Sequence, residues 1–208
     1  MRSEYLDPTL YTELYSVMER DNVNAMRVAL ETGLRIDDVL SLKPEQLQGA
    51  RLRYTAKKTG KSGTAKLSAS LRKELLRRSS AEWVFPSPRG KGKHRTRQAV
   101  YKDVKKACSL LGVEGQISPH SARKTFAVEL RKTSGVGEVQ KALQHSDKGT
   151  TLLYAFADVA QGCNGREMER ADNAEYIAEV VVRKIEQLFE KRGIFPQICV
   201  ENNKKTED

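Results

Sequence analysis

Cysteine is scarce in this chain. The 208 residues hold three, Cys108, Cys163 and Cys199, an odd number spread far apart. With no CxxC pair among them they offer neither a disulfide framework nor a zinc site, and such usage makes a reducing, intracellular setting the default expectation. Long apolar runs are missing too: no stretch approaches the roughly 18 residues that a membrane helix needs, so no membrane association is expected. The opening MRSEYLDPTL lacks an apolar signal region, and no internal repeat is present. What is left is an ordinary hydrophobic share of 38%, over a length that suits one domain, or one plus a tail, with an ample buried core.

Charge is plentiful and unevenly placed. The net charge is +10. Residues 1–50 carry 5 basic and 9 acidic groups, residues 51–133 carry 22 and 5, and residues 134–208 carry 10 and 13. The excess therefore lies in one central block. Such a block attracts a polyanion, and nucleic acid is the natural candidate.

Read in order, Asp7-Pro8 opens a helix expected over 8–19, and a second runs over 22–32 with Val23, Met26 and Leu30 at helical spacing. Gly33 stops it as a C-cap. Arg35 begins a short helix that Pro44 ends, and Asp38, three residues on, can hydrogen-bond the Arg35 guanidinium or stand as a surface carboxylate. A lysine-rich hairpin follows, with strands expected over 51–56 and 64–68 around a turn at 59–63. Helices are expected over 70–78 and 97–111, the latter with Val100, Val104, Ala107, Leu110 and Leu111 inward. The Pro-, Gly- and base-rich segment PSPRGKGKHRTRQ between them is expected to be a mobile loop that orders on DNA. His94 within it is a surface residue, no part of a site. Further helices are expected over 121–133, 136–144 and, amphipathically, 172–192.

The most informative stretch is SPHSARKTFAVELRKTSGVGEVQKALQHSDKGTTLLY, residues 118–154. Ser118-Pro119 starts a helix, with serine as cap and proline in the first turn. His120 and Arg123 share a face of that turn, over backbone N–H groups that favour an anion. Nine residues separate His145 from Tyr154, with a turn at 146–149 between them. Leu143, Leu152 and Leu153 hold both polar residues on packed elements.

Arg35 in TGLRIDDVLSL, His120 and Arg123 in HSARKTFA, and His145 with Tyr154 in HSDKGTTLLY together resemble the catalytic domain of tyrosine recombinases, the phage integrases. The resemblance implies an α+β fold, mostly α-helical, with a small antiparallel hairpin. It also implies DNA cleavage and rejoining through a 3′-phosphotyrosine on Tyr154. Arg35 and Arg123 would hold the phosphate's non-bridging oxygens, His145 would add a hydrogen bond, and His120 would take the phenol proton. In the family a hairpin lysine protonates the leaving hydroxyl. Position just before the Thr-Gly turn favours Lys58, with Lys57 on the opposite strand face and Lys61 on the turn as alternatives. Lys57, Lys61, Arg95, Arg97 and Lys124 are the expected DNA contacts. No cofactor is implied, neither ATP nor metal, because the bond energy stays in the covalent link.

Two residues depart from the family pattern: Lys124 stands where many members carry histidine, and Gln144 replaces the common glycine before His145. Only the segment before Asn22 precedes the first matched helix, so the helical domain that usually clamps DNA from the other side is expected to be missing. Residues 1–193 are read as the catalytic domain. Residues 194–208 are read as a tail that docks in cis or trans and ends in disorder. The expected partners are double-stranded DNA and further copies of the chain on it. Two rivals share parts of this reading: a type IB topoisomerase, and a non-catalytic DNA-binding regulator derived from an integrase.

Overall fold

The computed structural model describes residues 3–90, 92–145 and 148–157. Within them the chain is mostly helical, with one small antiparallel sheet. The helix expected over 172–192, the tail 194–208, and Cys163 and Cys199 lie outside the described residues.

Helix α1 (Leu10–Ser16) starts later than the sequence led us to expect. The Asp7 carboxylate accepts the Thr9 N–H at 2.9 Å, so Asp7 and Pro8 make the entry turn rather than the first helical turn. Helix α2 (Arg20–Thr32) is the centre of the molecule. Ala25, Met26, Val28 and Ala29 are all fully buried on it, and it packs against α3 (Ile36–Leu40), α4 (Ala69–Arg78), α5 (Arg97–Leu111) and α6 (Pro119–Ser134). Gly33 ends α2 in the left-handed region at φ 69°. A Cβ there would stand 2.9 Å from Leu143 Cδ2 and run into the Phe126 ring, so conformation and space both require glycine. Pro44 does close the α3 segment, and it also begins a short 3-10 turn, Pro44–Leu47.

The hairpin pairs β1 (Leu52–Thr55) with β2 (Ser62–Ala65), Leu52 opposite Ala65 and Thr55 opposite Ser62. Its return strand begins two residues earlier than expected. The Ala56 carbonyl accepts both the Thr59 and the Gly60 N–H, at 3.2 and 2.8 Å. Gly60 takes φ 67° to allow it. Lys57 and Lys58 therefore both lie in the turn, and the argument that placed them on opposite strand faces does not apply.

Residues 86–90 and 92–95 are held down by contacts, where a mobile loop was expected. Ser87 N–H donates to the Lys93 carbonyl at 2.8 Å and Arg95 N–H to the Phe85 carbonyl at 2.7 Å. The Trp83 indole N–H reaches the Gly92 carbonyl at 3.1 Å. Half-buried His94 sits edge-on to Trp83 with ring centres 5.0 Å apart. Arg95, expected as a DNA contact, is buried at 6% exposure. Its guanidinium pairs with Glu19 and, at 3.1 Å, with Asp21 at the start of α2. A buried guanidinium needs such partners, so Arg95 joins two parts of the fold and has no charge to spare for a phosphate. Arg95→Ala should lower stability by about 1–3 kcal/mol, less than a fully buried pair because both carboxylates reach solvent. Thermal unfolding reads that loss, and the salt dependence of DNA binding should keep its slope.

On α5, Val100, Val104 and Ala107 face inward, but Leu110 is 64% exposed, one residue off the buried stripe. Helix α6 lies between two apolar clusters. On one side it meets α2. On the other, Ala127 joins Val139 and Leu143 of α7 (Val136–Leu143) and Ala155 of α8 (Lys148–Ala155), with Phe126, Leu130 and Tyr154 packed around them. The C-terminal ends of α2 and α7, the start of α6 and the face of α8 thus meet at one place. Among the described residues no helix is long and apolar enough to cross a membrane.

Candidate active site

The start of α6 is built as the sequence requires. Ser118 caps it, its hydroxyl accepting from the His120 N–H at 3.3 Å, while the Ser121 hydroxyl accepts from the Ser118 N–H at 3.1 Å. Pro119 fits the first turn because no N–H is needed there. This cap fixes His120 on the opening turn and Arg123 one turn on.

Arg123 is 3% exposed, and two helix ends hold it. Its guanidinium donates to the Gly33 carbonyl at the end of α2 and, at 2.9 Å, to the Leu143 carbonyl at the end of α7. Helix C-termini leave carbonyls without intrahelical partners, and their dipoles favour a cation. The guanidinium is thereby locked in plane before any substrate arrives. A third N–H faces His145 Nε2 at 3.2 Å, and the buried Nε has no partner. Arg35 follows the Gly33 corner as the residue that caps α3. Burial, then the Arg35 charge, pull the Arg123 pKa down to about 10, which leaves it charged at neutral pH. Neither guanidinium has an ion-paired carboxylate among the described residues. Asp38 acts on Arg123 through space but its carboxylate is bonded to the Lys57 N–H, and two neighbouring cations of this kind can take an anion between them.

The phenol of Tyr154, half-buried on α8, meets His120 Nε2 in a direct hydrogen bond. Its ring lies 4.9 Å from the His145 ring, and the Arg123 guanidinium carbon is 5.9 Å from its centre. Burial raises the phenol's pKa, and Arg123 and Arg35 work against that rise. His120 is driven the other way, from 6.5 to about 4, by burial first and then by Arg123, Lys124, Arg35 and Arg97. At neutral pH His120 is therefore an uncharged acceptor. His145 faces Thr151 Oγ1 through Nδ1 at 3.3 Å. The donating Arg123 N–H fixes Nε2 as the acceptor, so the proton sits on Nδ1.

The low His120 pKa has a consequence for stability. The unfolded chain takes up this proton near pH 6.5, whereas the folded chain resists until about 4. Stability from this residue is complete above pH 6.5 and is lost as pH falls towards 4. The stability gap between the wild-type chain and His120→Gln should move against wild type by up to about 3 kcal/mol over that interval. Denaturant titrations at pH 7 and pH 4.5 measure it.

The structure thus brings Arg35, His120, Arg123, His145 and Tyr154 together. It does not bring in the lysines: Lys57, Lys58 and Lys61 are exposed on the hairpin turn, with no contact to this cluster among the described residues. Arg97 is 66% exposed and 3.6 Å from Asp37. Asp38 meets neither expectation. It is buried at 4% and accepts the Lys57 backbone N–H at 2.9 Å, which pins the hairpin to α3. Sequence reasoning missed Thr151 and Tyr54. Tyr54 is buried on the hairpin near Arg123, Asp38 and Arg35, and its alternation with Leu52 on the strand was the one available signal.

Residues 4–161 match the family model described as the phage integrase family. Over 139 residues the chain is 33% identical to the tyrosine recombinase XerD of Shewanella oneidensis, covering 59% of this chain and 45% of that protein. It spans about half the length of the XerD relatives it matches. Among solved structures, the XerH site-specific recombinase bound to palindromic difH substrate aligns with a TM-score of 0.60 at 21% identity, over 80% of this chain and 51% of that one. The catalytic domain of bacteriophage HP1 integrase aligns with a TM-score of 0.58 at 21% identity, over 78% of this chain and 96% of that one. At these identities the likeness is one of fold.

Proposed function

Because the chain belongs to the phage integrase family, we propose that it cleaves and rejoins double-stranded DNA through a covalent 3′-phosphotyrosine on Tyr154. The observation that carries this reading is a phenol, hydrogen-bonded to an uncharged imidazole, beside two guanidinium groups that have no ion-paired carboxylate among the described residues.

The chemistry follows from that arrangement. A scissile phosphate between Arg35 and Arg123 supplies the missing anion. The Tyr154 oxygen attacks phosphorus as its proton passes to His120 Nε2, and the bond from phosphorus to the 5′-oxygen breaks. The leaving oxygen takes a proton from a hairpin lysine, Lys58 or one of its neighbours Lys57 and Lys61. In the second step a 5′-hydroxyl from another strand attacks the phosphotyrosine and gives its proton back to the lysine, while the bond from phosphorus to the tyrosine oxygen breaks and that oxygen recovers its proton from His120. One diester is exchanged for another, so no external energy source enters.

The electrostatics link the strength of the base to the phosphate. Burial raises the Tyr154 phenol and lowers the His120 imidazole, so moving the proton from one to the other is uphill on both counts. A bound phosphate offsets the Arg35 and Arg123 charges that depress His120, and the base strengthens as the substrate arrives. Lys57, Lys61, Arg97 and Lys124 are the proposed DNA contacts. Strand exchange needs a nucleophile for each partner strand, which supports assembly of several copies on DNA. The family match favours this reading over the topoisomerase and regulator alternatives.

The test is a library of nicked suicide duplexes with randomised sequence at the cleavage position, so that the released fragment diffuses away. The wild-type chain is expected to give a protein–DNA band that survives denaturation. Absence of any such band across the library opposes the proposal.

A further inference from the structure

Gln144 stands where the family resemblance places a glycine. It caps α7 in the left-handed region at φ 53°, the one non-glycine residue with positive φ among the described residues. Glycine adopts that conformation without strain, so glutamine there needs a reason in its side chain. That side chain crosses to the hairpin. Its Nε2 donates to the Tyr54 hydroxyl at 3.1 Å and reaches the Ser62 carbonyl at 3.5 Å. Gly63 leaves the room: a Cβ there would stand 2.8 Å from both Gln144 Nε2 and the Tyr54 hydroxyl. The amide's Oε1 is buried without a partner, a cost that a contact placed only for stability would avoid.

The residue after Gln144 is His145, which faces Arg123 and packs on Tyr154. On the hairpin side, a few residues beyond Tyr54 lies the turn that carries Lys57, Lys58 and Lys61. A second tie, from Asp38 to the Lys57 N–H, holds the opposite side of the same turn. The lysine turn therefore hangs between two side-chain anchors, one of which is continuous in sequence with the site.

We propose that Gln144 is a positioning residue whose amide latches the lysine-bearing hairpin to the His145 side of the site. Delivery of the proton to the leaving oxygen is then set by the same corner that places His145. This rests on the reading that a hairpin lysine is the proton donor.

Two variants release the latch. Gln144→Gly removes the amide and keeps the backbone relaxed, and Tyr54→Phe removes the acceptor. The first measurement is trypsin cleavage after Lys57, Lys58 and Lys61 in the folded, full-length chain, with thermal unfolding as the control for global stability. Both variants should be cut several-fold faster than wild type at these three lysines, with cleavage elsewhere in the chain unchanged and a melting temperature lowered by no more than the loss of one hydrogen bond allows. Equal rates overturn the latch. The second compares adduct formation on DNA with oxygen or with sulfur at the bridging 5′ position. A thiol ionises near 8.5, so the thiolate leaves without a donated proton. General acid catalysis contributes about 10²–10⁴-fold, and a loosened donor should forfeit about tenfold of it on the oxygen substrate. That loss should shrink to within about twofold on sulfur; an equal loss on both overturns the proposed role. Lys57→Ala, Lys58→Ala and Lys61→Ala run in parallel. If none shows an oxygen-specific loss, the proton-donor reading fails, while the trypsin comparison still decides whether the latch exists.

Discussion

Tyr154→Phe should abolish the covalent DNA adduct, a fall on the order of 10⁴-fold or more, as expected when the atom that forms the bond is removed. The substitution takes away one oxygen and little else. The ring still fills the space against His145 and the Ala127–Leu143 cluster, so the fold and DNA affinity should persist. The lost hydrogen bond to His120 should cost about 1 kcal/mol of stability. Gel detection of the adduct, with filter binding on the same DNA, separates the two effects. An adduct of wild-type yield from Tyr154→Phe would place the nucleophile elsewhere. Parallel loss of binding and adduct would mean that the residue holds DNA rather than attacking it.

Arg123→Lys is the second large effect, although it keeps the charge. One ammonium cannot reach the carbonyls of both Gly33 and Leu143 and face His145 as the planar guanidinium does. Two effects follow from that one change. A buried carbonyl loses its donor, for about 1–3 kcal/mol of stability. The phosphate loses a pre-oriented donor in the transition state, for about 10²–10³-fold in rate. Single-turnover cleavage at saturating protein isolates the second effect. A rate within tenfold of wild type would show that only charge is needed there, and that the anchoring between the two helix ends has no role in the chemistry.

How much of this was legible in the sequence differs by element. The capped start at Ser118-Pro119, the glycine stop after Thr32 and the Val100, Val104 and Ala107 stripe are local signals that the structure repeats closely, Leu110 being the exception. The convergence of Arg35, His120, Arg123, His145 and Tyr154 was legible only through the resemblance, since no spacing rule brings residues 35 and 154 together. What failed was decided by tertiary contacts. Arg95 is written in a run of exposed bases, yet the carboxylates of Glu19 and Asp21, more than seventy residues away, draw it inside. The stretch 86–95 has the composition of a mobile segment, but the indole of Trp83 and the carbonyl of Phe85 hold its Gly92 and Arg95. Asp38 lies three residues from Arg35, the distance for a helical partner, and bonds the hairpin backbone instead. The hairpin turn slipped because two glycines, Gly60 and Gly63, both look like turn residues. Gly60 makes the turn, and Gly63 is on the strand because it makes room for Gln144.

The central claim is that the phenol at 154 becomes the covalent link to DNA. The direct measurement is to digest the purified protein–DNA adduct to peptides and identify, by mass spectrometry, the residue that carries the nucleotide and the end to which it is joined. The account predicts a single linked peptide containing Tyr154, bound to a 3′-phosphate, with the 5′-hydroxyl left free. Linkage to any other residue, or to a 5′-phosphate, would contradict it.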